Sequence, residues 1–231
     1  MKCKVGQILT TLTDRGDLKD FIAAYVCKNE GDFFSTLVAT ILSQNSTDRA
    51  AFKAYENLKK SLGSVTPQKI IEVDFEKIKE AIRVAGLHES KARAIKDLAF
   101  ELIEGGLSDL IATKDCKRIR ERLLAIRGIG EKTADVFLLT CLACEVFPSD
   151  THIKRIFSRL ENRRMSYREI SNVVLSELNE PDKLLELHHK LIMHGRKVCR
   201  AKMPLCEECR LRECCEYYEA HVYGSKGVNT T

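Results

Sequence analysis

The 231-residue sequence predicts an all-α protein, on three observations. Apolar residues recur at helical spacing through most of the chain. The alternation and two-residue turns that mark paired strands are absent. Helix start signals fall where the periodic runs begin. In chain order the runs are DFFSTLVATILS (32–43), RAAFKAYENLKKSL (49–62), DFEKIKEAIRVAG (74–86) and ESKARAIKDLAFELIEGG (89–106). They continue with CKRIRERLLAI (116–126), KTADVFLLTCLA (132–143), THIKRIFSRL (151–160), SYREISNVVLSEL (166–178) and DKLLELHHKLIMHG (182–195). Thr66 before Pro67 reads as an N-cap with proline at the first helical position, and Asp150 precedes the run at 151. Prolines stand only at 67, 148, 181 and 204, so glycine and polar residues set most connections. The last stretch, HVYGSKGVNTT (221–231), has little to bury and is expected to fray.

Apolar residues make up 44% and charged residues 31%, ordinary values for a globular protein. The formal charge of +5 permits nucleic-acid binding without arguing for it. No run approaches the roughly 20 apolar residues of a membrane span, and the opening MKCKVGQILTTLTDRGD lacks a signal-peptide core. An intracellular protein with reduced thiols is therefore expected. Of the ten cysteines, five fall between Cys199 and Cys215; the others are Cys3, Cys27, Cys116, Cys141 and Cys144.

In LLAIRGIGEKTADVFLL (123–139) one helix ends near Ile126, the chain turns through Gly128-Ile129-Gly130, and a second helix starts near Glu131. Two glycines allow positive φ and a close approach by another backbone. The N–H groups at the start of the second helix can take phosphate oxygens, which anchors a duplex without reading its sequence. The same residues also fit a plain helix–turn–helix corner with glycine at the C-cap. Lys132 lies in the first turn of the second helix. A lysine with a pKa near 10.4 is neutral only about once in a thousand at physiological pH, and the positive potential of a helix N-terminus helps depress that value. Asp150 can serve as an N-cap for the following helix.

The C-terminal run CRAKMPLCEECRLRECC contains Cys199, Cys206, Cys209 and Cys215, separated by six, two and five residues. Four thiolates at such spacing suit one soft metal centre, and the spacing alone leaves zinc and iron–sulfur both open. Cys214 falls outside that register.

These blocks resemble the endonuclease III family of DNA glycosylases and abasic-site lyases, within the helix-hairpin-helix GPD superfamily. AIRGIGEKTADV is similar to the family's hairpin. The likeness continues through FPSDTHIKRI (147–156) and HHKLIMHGRKVC (188–199) to the final cysteines, and upstream through ILSQNSTD (41–48) and GLHESKARAI (86–95). Together these segments span most of residues 30–217.

The resemblance implies two helical lobes with a DNA cleft between them. One is formed by 1–33 and 145–231 and carries a [4Fe–4S] cluster loop; the other is a six-helix lobe, 34–144, with the helix-hairpin-helix at about 117–143. It implies Lys132 as nucleophile at C1′ of a flipped-out nucleotide, and Asp150 as the carboxylate that stabilises oxocarbenium character and assists proton transfer. A Schiff base and β-elimination follow; relatives that only hydrolyse the base lack this lysine. The backbone at Gly128, Ile129 and Gly130, with Arg200 and Lys202 in the cluster loop, would lie against DNA. Asn45, or Gln44 if the register slips by one, would fill the vacated space, and Leu87 would wedge the opposite strand. Cys199, Cys206, Cys209 and Cys215 would hold the [4Fe–4S] cluster. His88-Glu89 depart from the family's usual aromatic or amide residues, which leaves the preferred opposite base open. The implied partner is double-stranded DNA with damaged bases, oxidised pyrimidines first among them, or abasic sites, met by a monomer. Two rival readings stand: a non-catalytic helix-hairpin-helix iron–sulfur protein, and a glycosylase for mispaired thymine or uracil, an oxidised purine or 5-methylcytosine.

Overall fold

Each periodic run of the sequence winds into a helix in the computed structural model, which describes residues 1–223. In order the helices are α1 (Val5–Thr11), α2 (Ile22–Glu30), α3 (Phe33–Ser43), α4 (Asp48–Leu62), α5 (Pro67–Glu72), α6 (Phe75–Ala81) and α7 (His88–Ile103). They continue with α8 (Leu107–Thr113), α9 (Cys116–Ala125), α10 (Glu131–Leu142), α11 (Thr151–Leu160), α12 (Tyr167–Glu177) and α13 (Pro181–Lys197). Among the described residues there is no strand. The helices α1, α2 and α8 had no reading in the sequence. Of the C-terminal stretch, Glu219–Tyr223 form a π-helical turn with His221 stacked on Tyr217 at 4.5 Å; the rest of the segment expected to fray lies outside the described residues.

Short polar side chains set the helix starts. Asp32, Thr47, Thr66, Asp115 and Asp150 each accept a hydrogen bond from a backbone N–H three residues on. Ser166 and Glu169 form a reciprocal capping box at α12.

Contacts divide the chain into two units, Met1–Gly16 with Glu145–Thr231, and Asp17–Cys144. In the second unit α3 is central. Every residue from Phe34 to Leu42 is buried, with the hydroxyls of Ser35, Thr36 and Thr40 bonded to backbone carbonyls, and α2, α4, α7 and α10 pack on it. In the first unit α11 crosses α13 where Gly195 lies against His152; a Cβ at 195 would come within 2.7 Å of the His152 Cβ. The close approach requires glycine there.

The expectation of reduced thiols is corrected by the structure. Cys3–Cys214, Cys27–Cys141 and Cys116–Cys144 are disulfides, with Cα–Cα separations of 5.1, 6.0 and 6.0 Å, all within the range a disulfide spans. Inference from compartment averages over many chains, and intracellular disulfides do occur, in hyperthermophiles above all; here the fold brings distant cysteines into bonding range. Cys199, Cys206, Cys209 and Cys215 carry no disulfide.

Candidate active site and metal centre

The hairpin forms as its glycines foreshadow, but the two glycines do different things. Gly128 has φ +93° and a side chain there would meet the Ala94 Cβ at 3.0 Å, so both conformation and packing require glycine. Gly130 is extended, with φ −97°, and the space beside it is open. It is the N-cap of α10 and has no side chain to cap the first turn. An anion could approach the N–H groups at that helix end closely. Ile129 between them is buried and anchors the turn in the core.

Lys132 is the second residue of α10 and half-buried. Two sets of contacts fix its turn. Arg120 on α9 grips Asp135, one turn further along α10, with Nε–Oδ1 at 2.6 Å and Nη2–Oδ2 at 3.1 Å. This two-pronged, charge-assisted pair holds the helices of the hairpin together, and the Cys116–Cys144 disulfide closes the same α9–α10 loop. From the other side Gln44 donates its amide to the Gly128 carbonyl and the Thr133 Oγ1, both at 2.9 Å. Gln44 is therefore bound to the hairpin. The next residue, Asn45, is exposed with φ +48°. It does not cap α4; Thr47 does.

Leu87 stands at the N-cap of α7, 57% exposed and with φ +47°. Left-handed backbone is costly for a leucine, and burial does not repay it here. His88 and Glu89 open α7, with Glu89 paired to Arg93 at 2.7 Å.

In the first unit Asp150 is the N-cap of α11, its Oδ1 accepting from the Ile153 N–H at 2.9 Å. The strap before it is tied down twice. Ser171 Oγ donates to the Phe147 carbonyl at 2.7 Å, and His188 Nδ1 lies 3.0 Å from the Pro148 carbonyl. Along the same helix, Arg155 donates to the Cys199 and Gly195 carbonyls, each at 2.8 Å. Arg159 donates to the Arg200 carbonyl at 2.7 Å and reaches the Cys199 Sγ at 3.2 Å. One helix thus carries Asp150 at its start and the supports of the cysteine loop at its end. The exposed Arg200 and Lys202 are on that loop.

Cys199, Cys206, Cys209 and Cys215 line a single cavity with Arg159, Leu205 and Tyr217. Cys214, consumed by its bond to Cys3, is excluded from it. Burial pushes the Cys206 and Cys215 thiols up and the Cys209 thiol to about 11; repulsion from the neighbouring thiolates adds to each. Four thiolates so placed need a cationic centre to stand, which fits a metal group. Among the described residues no three His, Cys, Asp or Glu side chains form a site for a single ion.

The sequence had no signal for Arg120–Asp135, for the Gln44 bridge, or for Arg155, Arg159 and His188, whose partners are remote in the chain. No helix among the described residues is long and apolar enough to cross a membrane.

Residues 38–180 match the model of the HhH-GPD superfamily of base excision DNA repair proteins. The chain is 48% identical to the endonuclease III of Sulfolobus acidocaldarius, over 87% of this chain and 90% of that one. Among solved structures, a non-covalent endonuclease III–DNA complex superposes with a TM-score of 0.67 at 30% identity, covering 79% of this chain and 82% of that one. A trapped endonuclease III–DNA covalent intermediate gives 0.69 at 27% identity, covering 86% and 94%.

Proposed function

The chain belongs to the endonuclease III family of the HhH-GPD superfamily of base excision DNA repair proteins, and from that premise we propose that it is a bifunctional DNA N-glycosylase and abasic-site lyase whose preferred substrates are oxidised pyrimidines. The observation that carries this reading is Lys132, an amine in the first turn of the hairpin's second helix. That a related endonuclease III has been trapped covalently on DNA supports an enzyme-bound intermediate here as well.

The duplex binds through phosphates at the open Gly130 end of α10 and at Arg200 and Lys202. The damaged nucleotide is flipped out, with Asn45 filling the gap and Leu87 wedging the opposite strand. Lys132 Nζ, in its neutral form, attacks C1′. The C1′–N bond breaks and the base departs with the bonding pair, taking up a proton. Ring opening gives a Schiff base between Lys132 and C1′. Loss of a C2′ proton and of the 3′ phosphate then cuts the strand by β-elimination, and water releases the lysine. The Asp150 carboxylate stabilises the oxocarbenium character at C1′ and relays the amine's proton.

Cys199, Cys206, Cys209 and Cys215 would hold a [4Fe–4S] cluster. The four unpaired thiols around one cavity support this. When bound, the group supplies a folded loop for phosphate contact and takes no part in bond breaking.

Asp150 is both a cap and a charge, and two variants separate these roles. Asp150→Asn keeps an acceptor for the Ile153 N–H, so stability should hold while the single-turnover rate falls on the order of 10²-fold. Asp150→Ala should lose the same rate and, in addition, about 1 kcal/mol of stability. Equal rates in Asp150→Asn and wild type would remove the carboxylate from the chemistry. The lesion reading is tested with duplexes bearing an oxidised pyrimidine, a G·T mismatch, an oxidised purine or 5-methylcytosine. Oxidised pyrimidines should be released fastest; preferential release of any other base would overturn that choice.

A further inference from the structure

Lys91 is 2% exposed, the largest fully buried charged side chain of the molecule's described part. Its Nζ donates to the Leu42 carbonyl and to the Ala85 carbonyl, both at 2.9 Å. No carboxylate is paired with it among the described residues, and burial pulls its pKa down to about 8. Leu42 is the penultimate residue of α3, and Ala85 closes the 3-10 turn Arg83–Ala85. The ammonium thus sits where two helical segments end, and it satisfies a terminal carbonyl of each. The negative ends of the two segments offset part of the cost of burying the charge.

Each of the two carbonyls leads directly into an exposed loop. Three residues after Leu42 comes Asn45, and two after Ala85 comes Leu87; both are exposed and both have left-handed backbone, φ +48° and +47°. One buried amine therefore holds the two loops from which these strained, solvent-facing side chains project.

We propose that Lys91 is a positioning residue for lesion opening: it locks the Asn45 loop and the Leu87 loop at a fixed separation so that both can enter one duplex together. This rests on the reading of Asn45 and Leu87 as inserted side chains. Losing the anchor should leave phosphate contacts and Lys132 chemistry intact while the duplex is no longer opened. Undamaged DNA should still bind, and a base already unpaired should still be removed.

The test compares Lys91→Met and Leu87→Ala with wild type in single-turnover excision of an oxidised pyrimidine, either paired or placed within a small bulge, together with 2-aminopurine fluorescence beside the lesion. With Lys91→Met, paired-lesion excision and the fluorescence rise should fall on the order of ten-fold or more. Bulged-lesion excision and undamaged-duplex affinity should change less than about three-fold. An equal loss on paired and bulged substrates would overturn the proposal, as would no loss on either. If Leu87→Ala opens the paired lesion normally, the insertion reading fails and the proposal with it. If Leu87→Ala is impaired and Lys91→Met is not, only the role of Lys91 fails. Should Lys91→Met not fold, Lys91→Gln, which keeps an amide donor for one carbonyl, carries the same comparison and should retain part of the opening.

Discussion

Lys132→Gln should abolish both borohydride trapping and strand cleavage, lowering the single-turnover rate by at least roughly 10³-fold. Glutamine is close to lysine in length but its amide nitrogen cannot form a Schiff base. The bonds of Gln44 to the hairpin and of Arg120 to Asp135 do not use the Lys132 side chain, and the turn at Gly128 is set by its own backbone, so all three should persist. Affinity for a lesion-bearing duplex should therefore stay within about three-fold of wild type, because the phosphate contacts at the helix end come from backbone N–H groups. Binding without chemistry is the expected signature. Trapping that survives undiminished would take the nucleophile away from Lys132, and a parallel collapse of binding would make it a structural residue.

The second large effect concerns the cysteine cavity. Cys209→Ser should give a colourless protein with substoichiometric iron, and residues 199–215 should exchange their amide hydrogens rapidly. The free energy of a bound metal group is also folding free energy for the loop that holds it. Apart from the four thiols, the loop is tied near its ends by Arg155 and Arg159 and by the Cys3–Cys214 disulfide. Since Arg200 and Lys202 ride on the loop, duplex affinity should fall on the order of ten-fold, with a shallower salt dependence. Cys214→Ser, by contrast, should keep the colour, because Cys214 is bonded to Cys3. A wild-type preparation that is colourless and holds stoichiometric zinc would contradict the assignment.

The parts of this molecule that could be read in the sequence are local ones. The helices with three or more turns announced themselves by period, and the hairpin by two glycines and a lysine within five residues. The four unpaired cysteines stood out by spacing. Cys214 could not be placed that way, since its partner Cys3 is 211 residues away. Pairing of the other cysteines was hidden for the same reason. So were the supports of the site: Asp135 and Arg120 are 15 residues apart, Gln44 and Thr133 are 89 apart, and Pro148 and His188 are 40 apart. Long-range pairs have no periodic trace, and only packing brings them together. The backbone of Asn45 and Leu87 was equally illegible, because neither residue type demands positive φ; the fold imposes it.

The proposal that one enzyme both releases a base and cuts the strand is tested most directly by following the two events in a single reaction. The wild-type protein, in excess over a duplex with one oxidised pyrimidine, is sampled in time for free base and for the β-elimination product. Both should appear from the start and reach the same final extent, with the Lys132–DNA adduct trapped by borohydride at intermediate times. Full base release over an intact strand, with no adduct at any time, would contradict the account.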